Sequence, residues 1–352
     1  MSLRNEETQS TLLEESEASA WEGFRAYKSG DMGRALVKAR TALRINPYDM
    51  LAIIVMSLLD PTYKKEELYE SPAHIAAFAE TTRSPNKQDQ YAVSANIISG
   101  LSDRLGLNEL CLADIGIGTG AFELALAKRM GDRGIRVAAL DPKKKMLDIS
   151  RDTLRFAGMH YEAMQCDAQT MPEEVIASIR GRIDVALGMH SLHHGTIEEK
   201  RRMLQNIRSI DPKYLVINDG NTDHESDLPA MSDELAINVR RIFSTILENQ
   251  CKWADEHCPG RPEMKAALRK FNFDEARAIL TREYSDVRDY HTTAARWKIL
   301  LEQEGFAIVN PKNIPDLGKG AAGPIEITDD AVFIRITQGI RLYFAMIAQP
   351  VK

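Results

Sequence analysis

Hydrophobic and polar positions divide the chain into three kinds of pattern. Between residues 20 and 106, apolar side chains recur three and four apart, which predicts amphipathic helices with one buried face. Within this stretch, 68–106 reads as helices separated by the Ser84-Pro85-Asn86 break. At Leu110 the pattern changes to short apolar runs at 110–115, 136–140, 161–165, 183–187 and 214–217, alternating with helical segments. Parallel strands need long crossovers to return to the same edge, so this alternation predicts βαβ units and an α/β fold around a parallel sheet. Helical periodicity returns over about 221–290, beyond the C-terminal end of the fifth strand. Runs at 305–309, 332–336 and 341–348 then resume strand character, the last two antiparallel, with a Gly-rich loop at 316–323. Residues 1–19 are polar, lack apolar periodicity and are expected to be flexible.

Trp21-Glu-Gly-Phe-Arg-Ala-Tyr27, Gly30-Asp31, Ala35-Leu36, Ala39 and Ala42-Leu43, closing with Asn46-Pro47, place small and large residues at helical spacing around a turn. The segment resembles a single tetratricopeptide repeat. One repeat cannot stack on neighbours, so it reads as a helical hairpin packed on the rest of the chain rather than a peptide-binding solenoid.

Composition narrows the function classes. The 352 residues are 44% hydrophobic and 27% charged, ordinary for a globular protein and long enough for two domains. The formal charge of −6 argues against nucleic acid as a partner, because such binders cluster Lys and Arg to release counterions. No stretch is long and apolar enough for a membrane span, and the polar N-terminus is unlike a signal peptide, so a cytoplasmic location is expected. Cys111, Cys166, Cys251 and Cys258 form no CxxC pair, and neither disulfides nor zinc are expected. The chain is compatible with a homodimer, which nothing in the sequence specifies.

The chemistry concentrates in Leu112-Ala-Asp-Ile-Gly-Ile-Gly-Thr-Gly-Ala-Phe-Glu-Leu-Ala125, an apolar strand running through three alternating glycines into a helix. Glycine suits a tight turn where a ligand approaches the backbone closely. Asp114 precedes the turn. Asp141 closes the next strand 21 positions after Gly120, where a carboxylate can accept both hydroxyls of a ribose. Cys166-Asp167-Ala168 ends the third strand. This order resembles the class I S-adenosylmethionine (SAM)-dependent methyltransferases over about 110–220. The resemblance implies a Rossmann-like sheet with SAM as cofactor, the glycine loop holding its amino-acid end, Asp141 its ribose and Asp167 its adenine. The cofactor set is then Asp114, Gly116, Ile117, Gly118, Gly120, Asp141, Pro142, Met146, Asp167, Ala168, Met189 and His190. A dinucleotide dehydrogenase would also tolerate Ala121 at its final small-residue position, but Asp114 and Gly120 favour the methyltransferase pattern.

The fourth strand leads into Gly188-Met-His-Ser-Leu-His-His194, which looks like the Leu-His-His found after strand four in many small-molecule methyltransferases. His190 and His193, with Asp219 and Glu225 after the fifth strand, are candidates for deprotonating a nucleophile. A structural hydrogen-bonding role for one histidine and a solvated loop at 218–225 explain the same residues. No metal is expected, because the three histidines lack a carboxylate partner of clear position.

Arg240-Arg-Ile-Phe-Ser244, Phe273-Asp-Glu-Ala-Arg-Ala-Ile-Leu-Thr-Arg-Glu283, Asp289-Tyr-His291, Arg296-Trp297 and Leu301-Glu-Gln-Glu-Gly-Phe306 resemble the GRAS family. That resemblance implies either its bacterial-type branch of small-molecule methyltransferases or a non-catalytic interaction scaffold, and the intact glycine loop favours the enzyme. Arg240, Arg241, Arg277, Arg282 and Glu283 could grip a small anionic or amphoteric substrate, though surface ion pairs are the commoner role. Phe243, Trp253, Phe271 and Tyr290 read as core. The organisation expected is therefore a flexible segment 1–19, a helical region 20–106, a SAM-binding core 107–220, a helical cap 221–290 forming the substrate region, and the rest of the core at 291–352.

Overall fold

A computed structural model describes residues 2–62, 71–221, 228–282, 292–335 and 341–351. The chain forms two compact units, Met1–Glu80 with Leu228–Val287, and Thr81–Asp227 with Arg288–Lys352.

The first unit is helical. Helix α1 (Ser2–Lys28) and α2 (Met32–Ile45) form the expected hairpin, in which Gly30 takes φ +85° and Asp31 caps α2 by accepting the Arg34 amide at 3.0 Å. The flexible lead-in expected over 1–19 is instead part of α1. Small residues explain it: Ser16 is buried and donates to the Ala42 carbonyl at 3.1 Å. Two turns further on, a Cβ at Gly23 would lie 3.2 Å from the Ala39 nitrogen, so α2 packs closely along this face. Helices α3 (Met50–Leu58) and α4 (Pro72–Thr81) follow.

The insertion after the fifth strand belongs to this same unit. Its helices, Asp233–His257 and Pro262–Thr281, place Leu235, Val239, Leu247, Cys251, Ile279 and Leu280 in one core with Ala20, Phe24, Met50, Leu51 and Ile54. The N-terminal helices and the insertion are thus one packed body, not the two separate regions expected. Neither stretch alone buries its apolar face.

The second unit begins with α5 (Pro85–Arg104), which the sequence grouped with the N-terminal helices. Its apolar face, Val93, Ile97, Ile98 and Leu101, packs with sheet residues Leu112, Val137, Val185 and Val216. Then come β1 (Glu109–Ile115), α6 (Ala121–Met130), β2 (Gly134–Asp141), α7 (Lys144–Phe156), β3 (His160–Gln165), α8 (Glu173–Ile179), β4 (Val185–Met189), α9 (Ile197–Ser209) and β5 (Tyr214–Gly220). The two insertion helices are α10 and α11. The unit closes with α12 (Ala294–Gln303), β6 (Phe306–Ile308), β7 (Ile325–Ile327), β8 (Val332–Arg335) and β9 (Arg341–Pro350).

Strand order is β3-β2-β1-β4-β5-β9-β8-β7, with β6 also pairing β9. Strands β1 to β5 are parallel, as the alternation predicted, and the later strands are antiparallel. Short β7 carried no apolar run and was missed. Along β1, Ala113 and Ile115 face one core while Leu110 and Leu112 face the other, as a sheet covered on both faces requires. The order reverses between β1 and β4. Crevices outside the carboxyl ends of strands at such a switch point are where open α/β sheets bind ligands.

Candidate functional site

The glycine loop fills the gap between β1 and α6. Gly116, Gly118 and Gly120 take φ of +77°, +57° and +75°, left-handed values that side chains with a Cβ resist. A Cβ on Gly116 would also stand 2.4 Å from that of Ser191, in the turn after β4. The loop is pinned by Gly116 and Ile117 amides donating to the Leu140 carbonyl at 2.7 and 3.3 Å. Ile117 is buried beneath it. Asp141, at the end of β2, accepts the Gly118 amide at 3.3 Å and the Lys143 amide at 2.8 Å. Burial pushes its carboxyl up to about 6 against these two donors.

The other expected cofactor residues are distributed as follows. Met146 is buried in α7, and Pro142 is exposed with its carbonyl accepting Gln165 Nε2 at 3.2 Å. Asp167 caps a short turn at Ala168–Thr170 by accepting the Gln169 amide at 2.8 Å, while the Ala168 carbonyl accepts Asn206 Nδ2 at 2.8 Å. Met189 ends β4, half-buried.

Asp114 has a neighbour the sequence reading passed over. Glu123, in the first turn of α6, is fully buried, and its carboxyl lies against that of Asp114. Asp114 Oδ1 and both Glu123 oxygens have no protein donor. Burial first, then the neighbouring carboxyl, holds Asp114 well above the usual carboxylate range; burial raises Glu123 as well. Tyr91 of α5 senses both acids and is itself buried. The signal available in sequence was a glutamate inside the otherwise apolar Ala121-Phe-Glu-Leu-Ala-Leu-Ala127 run.

The histidines form a second cluster at the ends of β4 and β5. His190 has φ +52°, a conformation a residue with a side chain holds only under constraint. Its amide donates to the Asn218 carbonyl at 2.8 Å, and its Nε2 contacts Gln90 Oε1. His193 Nδ1 lies 2.8 Å from Asp219 Oδ1, with His190 Nδ1 4.0 Å from the same oxygen. Asp219 Oδ1 also accepts the Gly220 amide at 2.7 Å. His193 and Asp219 are both buried. Asn218 Nδ2 donates to Ser94 Oγ at 2.8 Å. Gln90 and Ser94, one turn apart on α5, were also missed by the sequence reading, since polar residues on a helix read as solvated.

Asp219 is the carboxylate the sequence could not position beside the histidines. One ligating atom from each of His190, His193 and Asp219 lies within 4.8 Å of the others, a grouping that can hold a metal ion. Glu225, with Asp223 and His224, lies outside the described residues.

Two of the arginines proposed to grip substrate hold partners within the helical unit. Arg240 binds Asp49 at 2.9 Å and Glu17 at 3.1 Å, and Arg277 donates to Ser57 Oγ at 2.7 Å. Arg282 caps α11 with φ +54°. Phe243 and Phe271 pack as expected, Trp253 stacks on His257, and Glu283 and Tyr290 fall outside the described residues.

The loop suits a nucleoside bearing an amino-acid tail on these grounds: three alternating left-handed glycines, a ribose-competent carboxylate touching the loop, and buried polar atoms beside it with no hydrogen-bond partner among the described residues. Besides the two acids, Ser191 Oγ is buried and unpartnered. Residues 112–210 match the family model described as Methyltransferase domain. This part of the chain is a SAM-dependent methyltransferase domain. The match ends before the segments that resemble the GRAS family.

Solved structures with similar folds include an O-methyltransferase family protein from Burkholderia thailandensis. It is 13% identical with a TM-score of 0.48, covering 90% of this chain and 71% of that one. A SAM-dependent methyltransferase from Aquifex aeolicus is 14% identical with a TM-score of 0.42, covering 80% and 99%. The Burkholderia thailandensis 1,6-didemethyltoxoflavin-N1-methyltransferase, solved with bound 1,6-didemethyltoxoflavin and S-adenosylhomocysteine (SAH), is 14% identical with a TM-score of 0.43, covering 83% and 94%. No curated protein matches the chain. Among the described residues, no helix is long and apolar enough to cross a membrane.

Proposed function

We propose that the chain methylates a small molecule at an oxygen or nitrogen that must lose a proton as the methyl arrives, with His193 as the base and Asp219 as the residue that positions it. The observation that carries this reading is the buried 2.8 Å contact between His193 Nδ1 and Asp219 Oδ1 at the carboxyl edge of the sheet. A carboxylate accepts only, so Nδ1 carries the hydrogen and Nε2 the lone pair that can receive a proton. The Gly220 amide fixes the same carboxylate oxygen, which holds the imidazole in one orientation. Two donors already occupy that oxygen, which favours a base pair over metal ligation by the three side chains.

Gly116 to Gly120, Asp141 and Met146 would hold the cofactor, together with Asp114 and Met189. SAM, when bound, supplies an activated methyl group. The chain's own contribution is alignment and exclusion of water around the nucleophile, which proximity makes worth several kcal/mol. The small-molecule branch of the GRAS-like proteins is the finer family reading, and it rests on the motifs between 240 and 306.

The test is incubation of the protein with methyl-labelled SAM and a metabolite extract, with mass spectrometry for a product that gains one methyl. His193→Ala and Asp219→Asn should each lower its formation by about 10²- to 10⁴-fold, the usual range for a positioned base, while SAH binding is unchanged. Undiminished turnover in both variants refutes the base assignment. Absence of any labelled product together with absence of SAH binding refutes the enzyme reading.

A further inference from the structure

Glu123 has no role in the catalytic reading, yet it is one of the least accommodated groups in the molecule. It is fully buried, it sits in the first turn of α6 directly after the glycine loop, and its carboxyl lies against that of Asp114. Among the described residues, neither acid has a cation or another side-chain donor on it. The groups that act on Asp114 are Glu123 and Asp141, both acidic, and Tyr91 from α5 is a neutral phenol whose ionisation burial makes harder still. Two carboxyl groups in contact, out of water and with no donor but the Glu123 backbone amide, strongly disfavour double ionisation; one keeps its hydrogen and donates it to the other. The first turn of a helix favours negative charge, so the anion is better held on Glu123 and the proton on Asp114.

We propose that Asp114 and Glu123 share one proton in the free protein and release it when SAM enters the adjoining glycine loop, so that this pair makes the site prefer the cationic cofactor over its neutral product. The proposal rests on the reading of the loop as a SAM cradle. In the step, the O–H bond of the shared proton breaks, its electron pair stays on the carboxylate, and the proton passes to solvent. SAM carries a net positive charge at neutral pH, whereas SAH, having lost the sulfonium, is a net-neutral zwitterion. A cation brought next to a buried acid pair stabilises the doubly ionised form. A neutral ligand gives that form less support, so the proton tends to stay. Binding the cofactor and discharging the product then differ by a charge that the protein itself supplies.

Calorimetric titration of the full-length protein with SAM and with SAH, in buffers of different ionisation enthalpy, counts the protons released. The expected result near neutral pH is release of close to one proton with SAM and clearly less with SAH, and a SAM-to-SAH affinity ratio that rises as pH increases. In Glu123→Gln the amide donates to Asp114 in place of the shared proton, the proton count falls to that of SAH, and the ratio becomes flat with pH. Should Glu123→Gln fail to fold, Asp114→Asn and the pH dependence of the wild-type ratio serve the same purpose. Equal proton counts for the two ligands in the wild type, or for wild type and variant with SAM, overturn the proposal while leaving the cofactor reading standing. If neither ligand binds at any pH, the cofactor reading itself fails, and the proposal with it.

Discussion

The two units treat buried acids in opposite ways. In the helical unit, Asp49 is completely buried at the start of α3, where it caps the helix by accepting the Ala52 amide at 3.1 Å and meets Arg240 at 2.9 Å. Burial raises its carboxyl, and the Arg240 guanidinium pulls the other way. Asp274 is likewise buried against His74 at 2.9 Å and Lys270 at 3.0 Å. In the sheet unit, the acids around the glycine loop face one another or backbone amides, and among the described residues no cation is placed on Asp114 or Glu123. The first arrangement holds helices in register. The second stores unfavourable charge at one edge of the sheet, which is how ligand sites differ from structural ion pairs.

If that contrast is correct, breaking a pair in the helical unit should be costly to stability and neutral to cofactor. Asp49→Ala removes a helix cap and strips Arg240 of its buried partner, leaving it the more exposed Glu17 among the described residues. Loss of one member of a buried pair costs about 3 kcal/mol. Thermal and denaturant unfolding should show a loss of that order, and calorimetry should show SAH affinity unaltered in the folded protein. A stable variant would mean that Asp49 and Arg240 are not the structural pair they resemble.

How much of this was legible in the sequence differs between the same two regions. The five parallel strands and the glycine loop are local patterns: apolar runs, spacing and φ-permissive residues declare themselves within a few positions. Asp141 followed from its distance to Gly120. The helical unit was misdivided because its core is assembled from segments about 200 residues apart, and neither Phe24 nor Leu235 indicates its partner. Residues 11–19 lack a strong apolar stripe because the contact α1 makes with α2 there runs through the buried Ser16, which periodicity does not count as hydrophobic. At the site, His193 and Asp219 were both singled out, but their contact depends on the register of β4 with β5. Gln90 and Glu123 were passed over because a polar residue on a helix reads as solvated until the surface it faces is known.

The sheet unit's acids should show themselves through pH. Burial holds Asp141 at about 6, with the Gly118 and Lys143 amides opposing that rise. Its folded value lies above the ordinary aspartate value, so the ionised, hydroxyl-accepting form is present above that pH and is lost as pH falls through it. Cofactor affinity should therefore decline below pH 6, by about tenfold per unit at most, since one proton competes with one ligand. Calorimetry with SAH in Glu123→Gln isolates this step from the neighbouring acid pair. An affinity flat from pH 7 to pH 5 would remove Asp141 from the ribose role.

The smallest expected effect is the most direct comparison of the two kinds of acid. The Asp114–Glu123 pair binds a proton more tightly folded than unfolded, because its ordinary values lie near 4 and burial raises both. The folded state therefore holds more protons than the unfolded chain above that range, and stability must fall as pH rises through the raised value. Glu123→Gln removes the titration and supplies an amide donor for Asp114 at nearly unchanged volume. The variant should be more stable than the wild type at pH 8, by about 1.4 kcal/mol for each unit by which the pair is raised, and the gap should close toward pH 4. Denaturant unfolding at several pH values in the absence of cofactor measures it. A variant less stable than the wild type at every pH would mean that Glu123 is held by favourable contacts, like Asp49, and that the contrast between the two units is false.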